Sequence, residues 1–311
     1  MNKKPRAVFF GTPDFAVPIL DALSQEAEVV GVVTQPDQPG GRGQTLLSSP
    51  VKRRAEQLNL RILTPPRLDQ AVAQQVRQWE PAVAVLAAYG KILPPDVLRA
   101  PAKGFLNIHP SLLPKLRGPS PIAASILQGD RVTGVTLIVL DEQMDHGPIV
   151  AQQSFDIKPG EHRPSLESRL SGLGANLLRQ SLRPYLDGRL HPQPQDHAHA
   201  TYCQRLQKND ARIDWTLSAE EIWRRIRAFD PWPGAYTTFR GQPLKILNAE
   251  PRAESSAGRP GTVTELDSAP AIVCRQGRLV VHRLQLAGGR AVAISDFVRG
   301  HRDFTGSLLG A

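Results

Sequence analysis

The pair Asn107 and His109 is the part of the sequence whose residue types best suit catalysis. Both belong to an apolar run that begins at Phe105, and side chains at positions i and i+2 of a strand point to the same face. At the carboxyl edge of a buried sheet, where ligands bind, an amide and an imidazole could stabilise a developing alkoxide, as acyl transfer requires. A turn-capping Asn beside a half-buried His is the structural alternative.

A third residue, Asp145, makes a functional site the better interpretation. It lies in the turn 141–147, directly after the apolar run 135–140. We therefore expect it at the same carboxyl edge of the sheet. A carboxylate near His109 could keep the imidazole protonated and relay a proton. An ordinary Asp in a Gly-ended turn remains possible, and periodicity does not say which acid of the turn faces His109.

The elements that must position these residues alternate between strand and helix in the first half of the chain. This order is typical of an α/β fold, a doubly wound and mostly parallel sheet covered by helices. The apolar runs are continuous rather than alternating, which indicates strands buried on both faces. The predicted strands are 6–10, 29–34, 82–87, 105–108 and 135–140, and the predicted helices are 13–24, 51–60 and 68–80.

The last third of the sequence predicts a different architecture. Ser218 and Glu221 form a capping box, so a helix begins there, and Pro231 and Pro233 end it. Five short alternating runs follow, separated by Gly, Pro, Asn and Ser, and they favour an OB-like β-barrel, a common scaffold for nucleic-acid binding. We predict an α/β domain over 1–189, a polar linker over 190–208 and the OB-like domain over 209–311.

The charge distribution indicates an anionic partner. The 311 residues include 38 basic and 29 acidic side chains, a formal net charge of +9. Residues 1–200 contain 22 basic and 18 acidic side chains, whereas residues 201–311 contain 16 and 11. The last third is therefore about twice as basic per residue, and a nucleic acid or another polyanion is expected to contact it. A basic protein without such a partner is the competing explanation.

Other patterns exclude whole classes of protein. No apolar run is long enough to span a bilayer, and the N-terminal segment does not develop into a signal peptide. Cys203 and Cys274 lack the spacing of a zinc site or of a disulfide framework, which favours reduced thiols in a cytoplasm. The histidines of the segment 191–199 have no matching Cys or Glu pattern, so we expect a solvated segment and no metal. The expected protein is cytoplasmic and does not contact a membrane.

The glycine-rich loop 40–43 displays one basic side chain, Arg42. It lacks the arrangement of a dinucleotide-binding loop. An arginine on flexible backbone could grip a phosphate or stack on a base. A solvated loop without function explains the same residues equally well.

Several motifs together resemble the folate-dependent formyltransferases that share the glycinamide ribonucleotide formyltransferase fold. The motifs are Asn107-Ile108-His109, Ser111-Leu112-Leu113-Pro114 and Asp145-x-Gly147. The similarity continues through the segments 10–16, 34–37, 41–43, 49–52, 88–94, 211–215 and 226–234, and so extends over essentially the whole chain. Three departures are Gln44-Thr45, where lysines are common after Gly-Arg-Gly, Leu116, where an aromatic residue is common, and His146, where a small residue is usual.

The resemblance implies transfer of a formyl group from 10-formyltetrahydrofolate to the α-amino group of methionine on initiator tRNA. It implies that Asn107, His109 and Asp145 are catalytic and that no metal is needed. The residues implied for folate are Ser111, Leu112, Leu113, Pro114, Tyr89, Gly90 and Ile92, and those for tRNA are Arg42, Arg205 and Lys208. We expect a monomer whose OB-like domain and basic linker bind tRNA.

Two alternative functions remain open at this point. Some related formyltransferases modify an amino sugar attached to a nucleotide, and they share the Asn, His and Asp of the site. A catalytically silent RNA-binding protein on the same scaffold is the second alternative. The Arg42 loop, the segment 226–234 and the basic last third favour tRNA as the substrate, and the intact catalytic residues argue against a silent protein.

Overall fold

A computed structural model describes residues 4–40, 45–254 and 258–310 of the chain. The chain forms two compact units. The first contains the chain up to Pro121 together with Val132–Ile157 and Glu167–Gln204. The second contains Ile122–Arg131, Lys158–Leu166 and the chain from Arg205 onward. Two segments that precede residue 190 thus belong to the second unit, an interleaving that the linear pattern of the sequence does not reveal.

The elements alternate in the first half and become mostly strands in the last third. The strands are β1 (Arg6–Gly11), β2 (Glu28–Val33), β3 (Gln38–Gly40), β4 (Thr45–Leu47), β5 (Ile62–Leu63), β6 (Val83–Ala87), β7 (Phe105–His109), β8 (Val132–Val139), β9 (Ile149–Asp156), β10 (Tyr236–Phe239), β11 (Gln242–Arg252), β12 (Val263–Leu266), β13 (Ala269–Val273), β14 (Arg278–Leu286) and β15 (Val292–Ala293). The helices are α1 (Val17–Glu26), α2 (Pro50–Gln57), α3 (Gln70–Gln78), α4 (Pro95–Leu98), α5 (Pro121–Gln128), α6 (Arg163–Leu186), α7 (Ala219–Ala228) and α8 (Ile294–Gly300).

The first unit is built on a mostly parallel sheet, as predicted. Among the described residues it has seven strands in the order β5-β2-β1-β6-β7-β8-β9. The pairs from β5 to β7 are parallel. The chain moves outward from β1 to β2 and then returns past β1 to β6, so the winding reverses between β1 and β6. Ligands bind at such switch points, at the carboxyl ends of the strands.

The direction of β8 differs from the expectation for Asp145. β8 pairs with β7 in antiparallel register, with Leu106 opposite Val139 and His109 opposite Thr136. Its carboxyl end therefore lies beside the start of β7, and the argument that Asp145 follows a parallel strand is wrong. Asp145 reaches the site because the turn after β8 folds back, with the Val139 amide donating to the Pro148 carbonyl at 3.0 Å.

Elements α5, α6 and β9 were not among the predicted elements, and α6 shows why. Its interior contains Ser171, Gly172 and Gly174, which are weak helix formers, so its sequence alone signals a helix poorly. Tertiary contacts compensate: the Ser171 hydroxyl donates to the Phe15 carbonyl at 2.6 Å, and a Cβ at Gly174 would lie 2.7 Å from Cγ2 of Ile108. Gly174 therefore lets α6 approach the strand that carries the predicted catalytic pair.

The second unit contains an antiparallel sheet that curls into a half-barrel, which confirms the OB-like prediction. Within the described residues its strand order is β10-β11-β14-β13-β12, with β15 added to β14. The segment 306–310 connects the two ends, because the Val263 amide donates to Ser307 at 2.9 Å and the Gly310 amide donates to Thr238 at 3.0 Å. Helix α7 begins with the predicted capping box of Ser218 and Glu221.

Candidate active site

The structure brings Asn107, His109 and Asp145 together. Asn107 and His109 lie two residues apart on the fully buried strand β7, and 5 % and 4 % of their surfaces are exposed. Asn107 Nδ2 lies 3.4 Å from Asp145 Oδ1, and His109 Nδ1 lies 3.5 Å from the same oxygen. An amide donor, an imidazole nitrogen and a carboxylate oxygen thus converge on one point. These contacts are long for hydrogen bonds, as catalytic contacts often are before a substrate is bound.

The hydrogen bonds of His109 constrain its protons. Nε2 lies 3.0 Å from the Leu116 carbonyl, which can only accept, so Nε2 carries a hydrogen. A neutral ring would then present the lone pair of Nδ1 to the Asp145 carboxylate, an unfavourable arrangement. Asp145 Oδ2 also accepts from the Gly118 amide at 2.8 Å, which holds the carboxylate in place. A hydrogen on Nδ1 would let His109 donate to Asp145 Oδ1.

The loop 110–118 is fixed to β8 by Thr136, which is fully buried. The Thr136 hydroxyl donates to the Ser111 carbonyl at 2.6 Å and accepts from the Leu113 amide at 3.1 Å. Gln152 on β9 donates to the Leu113 carbonyl at 2.9 Å. Hydrogen bonds from the neighbouring strands thereby hold the backbone that supplies the Leu116 carbonyl to His109 and the Gly118 amide to Asp145.

Residues predicted to bind folate divide into buried and exposed groups. Ser111 and Leu113 are 1 % and 3 % exposed, and Tyr89 is 1 % exposed, so their side chains belong to the protein interior. The Tyr89 hydroxyl has no hydrogen-bond partner among the described residues, and burial raises its pKa to about 12. In contrast, 78 % of Ile92 is exposed in the loop that follows β6. Contact with folate at these positions remains a prediction.

The residues predicted to contact tRNA have less structural context. Arg42 lies outside the described residues. Arg205 and Lys208 are both exposed, and Lys208 begins a short 3-10 helix. Their role remains a prediction. In the residues that the structure describes, no group of three or more His, Cys, Asp and Glu side chains is placed to hold a metal ion, and no helix is long and apolar enough to cross a membrane.

Sequence reasoning missed the backbone partners of the site. The Leu116 carbonyl and the Gly118 amide act through main-chain atoms, which leave no signature in residue type. The positive φ angles of Leu116 (59°) and Gly118 (117°) are the local feature that directs these groups toward the site. Gly118 offered one signal, because glycine is the residue that adopts such angles most readily.

Comparisons with known proteins show the family to which the chain belongs. The formyl transferase family matches residues 5–182, and the formyl transferase C-terminal domain matches residues 205–302. A methionyl-tRNA formyltransferase from Roseiflexus sp. (strain RS-1) is 46 % identical over 309 residues, which cover 98 % of this chain and 95 % of that protein. The enzyme of that name from Thermus thermophilus is 43 % identical over 307 residues, covering 98 % and 99 %.

Solved structures share the fold at lower identity. HypX from Aquifex aeolicus in complex with tetrahydrofolic acid superposes with a TM-score of 0.64 and 18 % identity, covering 95 % of this chain and 47 % of HypX. An N-formyltransferase from Helicobacter canadensis, in complex with folinic acid and dTDP-3-aminofucose, has a TM-score of 0.67 and 17 % identity and covers 89 % and 98 %. Identities this low establish the fold alone.

Proposed function

The chain belongs to the formyl transferase family, and we infer from its relatives that it formylates methionyl-tRNA. The reaction transfers a formyl group to the α-amino group of methionine on initiator tRNA, as the sequence predicts. Full-length relatives with 42–46 % identity carry this name, and both family regions are present. The observation that carries the catalytic role is the convergence of Asn107, His109 and Asp145 on one point.

The residue types suit a reaction in which an amine replaces a folate nitrogen on a formyl carbon. An α-amino group has a pKa of about 7.7–8.0, so it is partly neutral at pH 7 and mainly requires positioning. As its nitrogen bonds to the formyl carbon, the formyl oxygen gains negative charge. The bond from that carbon to the folate nitrogen then breaks, and the proton lost by the amine is returned to the leaving nitrogen.

Each catalytic residue has a role that follows from its position. In the free protein Asn107 Nδ2 and His109 Nδ1 both face Asp145 Oδ1. During the reaction these two nitrogens donate to the charged formyl oxygen. Asp145 keeps the imidazole charged and moves the proton from the amine toward the leaving nitrogen. Because the first two residues are almost fully buried, their dipoles act in a site with little competing water.

The loop after β6 supports binding of the formyl donor. Ile92 exposes most of a large apolar side chain at the carboxyl edge of the sheet, and Gly90 adopts a positive φ of 83° where a Cβ would lie 2.7 Å from Gln35 Nε2. An exposed apolar side chain suits contact with the flat ring of a folate. The donor is 10-formyltetrahydrofolate, held by this loop and by the segment 111–114, and bound folate supplies the formyl group to the site.

The tRNA is bound by three parts of the chain: the OB-like region 209–311, the linker residues Arg205 and Lys208, and Arg42. Support comes from the greater density of basic side chains after residue 200 and from the exposure of Arg205 and Lys208. Formylation of a nucleotide-linked amino sugar is not favoured, because the solved sugar enzyme is only 17 % identical whereas the tRNA enzymes exceed 40 % over nearly the full chain.

A direct assay distinguishes the two substrates. The full chain is incubated with 10-formyltetrahydrofolate and either methionyl initiator tRNA or a nucleotide-linked amino sugar, and the formylated products are quantified. We expect formylation of the tRNA and none of the sugar. Formylation of the sugar without formylation of the tRNA would overturn the assignment, and salt-sensitive tRNA binding without any turnover would indicate a silent RNA-binding protein.

A further inference from the structure

Gln195 connects the turn that carries Asp145 to a buried arginine. Its Nε2 donates to the Asp145 carbonyl at 2.8 Å and to the Gly147 carbonyl at 2.7 Å. Its Oε1 accepts from Arg117 through Nη2 at 2.7 Å and through Nε at 3.2 Å. Only 5 % of the residue is exposed. Both amide hydrogens and the amide oxygen are therefore used, although Gln195 lies in a segment that the sequence predicts as a polar linker.

Arg117 fixes which way this amide points. The guanidinium can only donate, so it selects the orientation in which Oε1 faces Arg117 and the NH₂ group faces the Asp145 turn. Arg117 is 1 % exposed, and none of its side-chain hydrogen-bond partners in the described part of the chain is a carboxylate: they are Gln195, His197 Nδ1 at 2.8 Å and the Tyr202 hydroxyl at 3.4 Å. Burying a cation without a carboxylate partner is costly, so its presence calls for a role.

The turn that Gln195 holds has a backbone that needs support. Asp145 has a φ of 48°, in the left-handed region that residues other than glycine rarely adopt. At Gly147 a Cβ would lie 1.8 Å from the Val139 carbonyl, so the backbone packs tightly there. The direction of the Asp145 carboxylate depends on this strained backbone. Gln195 donates to the Asp145 carbonyl and to the Gly147 carbonyl. The Gly118 amide donates to the Asp145 carboxylate itself.

We propose that Gln195 is a positioning residue for formyl transfer, which acts by fixing the backbone of Asp145, and that Arg117 supports it by fixing the orientation of its amide. This role rests on the proposed catalytic function of Asp145. The four hydrogen bonds join segments that are far apart in the sequence, and they leave the Asp145 carboxylate aimed at Asn107 and His109. Neither Gln195 nor Arg117 needs to touch the substrate.

Substitution Gln195→Glu separates the two functions of the amide. The carboxylate has the same shape and still accepts from Arg117, now as an ion pair, but it has no hydrogen to donate to Asp145 and Gly147. The Asp145 and Gly147 carbonyls lose their buried donor and face a carboxylate oxygen, so we expect a folded variant with a lower thermal midpoint, and the rates are measured well below that midpoint. A misplacement of about 1 Å at a reacting group costs on the order of 10²-fold, so kcat should fall by roughly 10- to 100-fold while KM for methionyl-tRNA changes little.

The matched control is Gln193→Glu, which makes the same chemical change two residues away. The Gln193 side chain is exposed and donates to the His191 carbonyl at 3.1 Å. This variant should retain the wild-type kcat. An equal loss in both variants would mean that added negative charge in this segment lowers the rate, and the positioning role would be wrong.

A double-mutant cycle tests whether Gln195 acts through Asp145. Single-turnover rates are compared for the wild type, Gln195→Glu, Asp145→Asn and the double variant. If Gln195 positions Asp145, its substitution should have almost no further effect once the Asp145 carboxylate is gone. An additive loss in the double variant would instead indicate a general structural role and overturn the proposal. A wild-type rate in Asp145→Asn alone would refute the proposed function of Asp145.

Arg117→Met provides a second variant should Gln195→Glu fail to fold. It removes the buried charge at similar side-chain length and leaves the Gln195 amide free to turn over. We expect a smaller fall in kcat, in the same direction, that also disappears in the Asp145→Asn background. A wild-type kcat in a folded Arg117→Met protein would show that Arg117 does not orient the amide.

Discussion

At the scale of single residues, Asp145 is held through both its side chain and its backbone. The Gly118 amide donates to its carboxylate, and Gln195 donates to its carbonyl. His109 is equally constrained, since each ring nitrogen faces an oxygen. A proton shared by two fixed groups can be transferred without a costly rearrangement, which is what a step that both removes and returns a proton requires.

Removal of the Asp145 charge should therefore affect chemistry rather than binding. In Asp145→Asn we expect the single-turnover rate of formyl transfer to fall by about 10²- to 10⁴-fold, the usual contribution of a positioned acid or base. The dissociation constant for methionyl-tRNA should change little. The matched control is Glu142→Gln in the same turn, whose side chain is 68 % exposed. A near wild-type rate in Asp145→Asn would contradict the catalytic role.

Cys203 offers a chemical reporter of the same charge. Burial raises the pKa of its thiol above the ordinary value, and the negative charge of Asp145 raises it further. The thiol is therefore mostly protonated near pH 8. In Asp145→Asn the pKa should fall, the thiolate fraction should grow, and alkylation by iodoacetamide at pH 8 should become faster. Alkylation of the buried Cys274 should not change. An unchanged alkylation rate at Cys203 would show that the Asp145 charge does not raise the pKa of this thiol.

At the scale of elements, strand β8 fixes the loop 110–118 beside the candidate site, although it runs antiparallel to β7. Thr136 on β8 lies opposite His109 on β7. Its hydroxyl donates to one backbone group of the loop 110–118, the Ser111 carbonyl, and accepts from another, the Leu113 amide. One strand thus orders the loop whose backbone contacts His109 and Asp145. The antiparallel pairing is what places the Thr136 hydroxyl beside this loop.

Replacement of Thr136 by Val should disturb the loop while it preserves side-chain volume. The Leu113 amide and the Ser111 carbonyl would each lose a buried partner, at a cost of about 1–3 kcal/mol of stability. We expect a lower thermal midpoint and a raised KM for the formyl donor. Thr133→Val on the same strand is the control, since Thr133 is buried without a side-chain hydrogen bond in the described part of the chain. Equal KM values in both variants would argue against folate binding by this loop.

At the scale of the whole molecule, two different architectures have two different charge densities. The mostly parallel sheet bears the candidate active site, and the half-barrel belongs to the more basic last third. Separate units suit a substrate that combines a small reacting group with a large polyanion. Recognition of the polyanion depends on phosphate contacts, which raise affinity and are weakened by salt.

The double variant Arg205→Gln/Lys208→Gln should flatten the salt dependence of tRNA binding. Each lost phosphate contact lowers the magnitude of the slope of log K against log salt by about 0.7–0.9, so the two together should lower it by about 1.4–1.8. The control removes two exposed charges from the first unit, Arg67→Gln/Lys103→Gln, and should leave the slope unchanged. Identical slopes for the two double variants would place the phosphate contacts elsewhere.

The amino-acid sequence alone determined the features that depend on neighbouring residues. Continuous apolar runs marked the buried strands, the spacing of Asn107 and His109 put both on one face of β7, and the capping box started α7. The tertiary structure decided the direction of β8, the contact of Asp145 with His109 and the bonds of Gln195. Arg117 and Gln195 are 78 residues apart, and their contact depends on how distant segments pack. Local stereochemistry fixes the first group, whereas the second depends on long-range packing that has no period in the sequence.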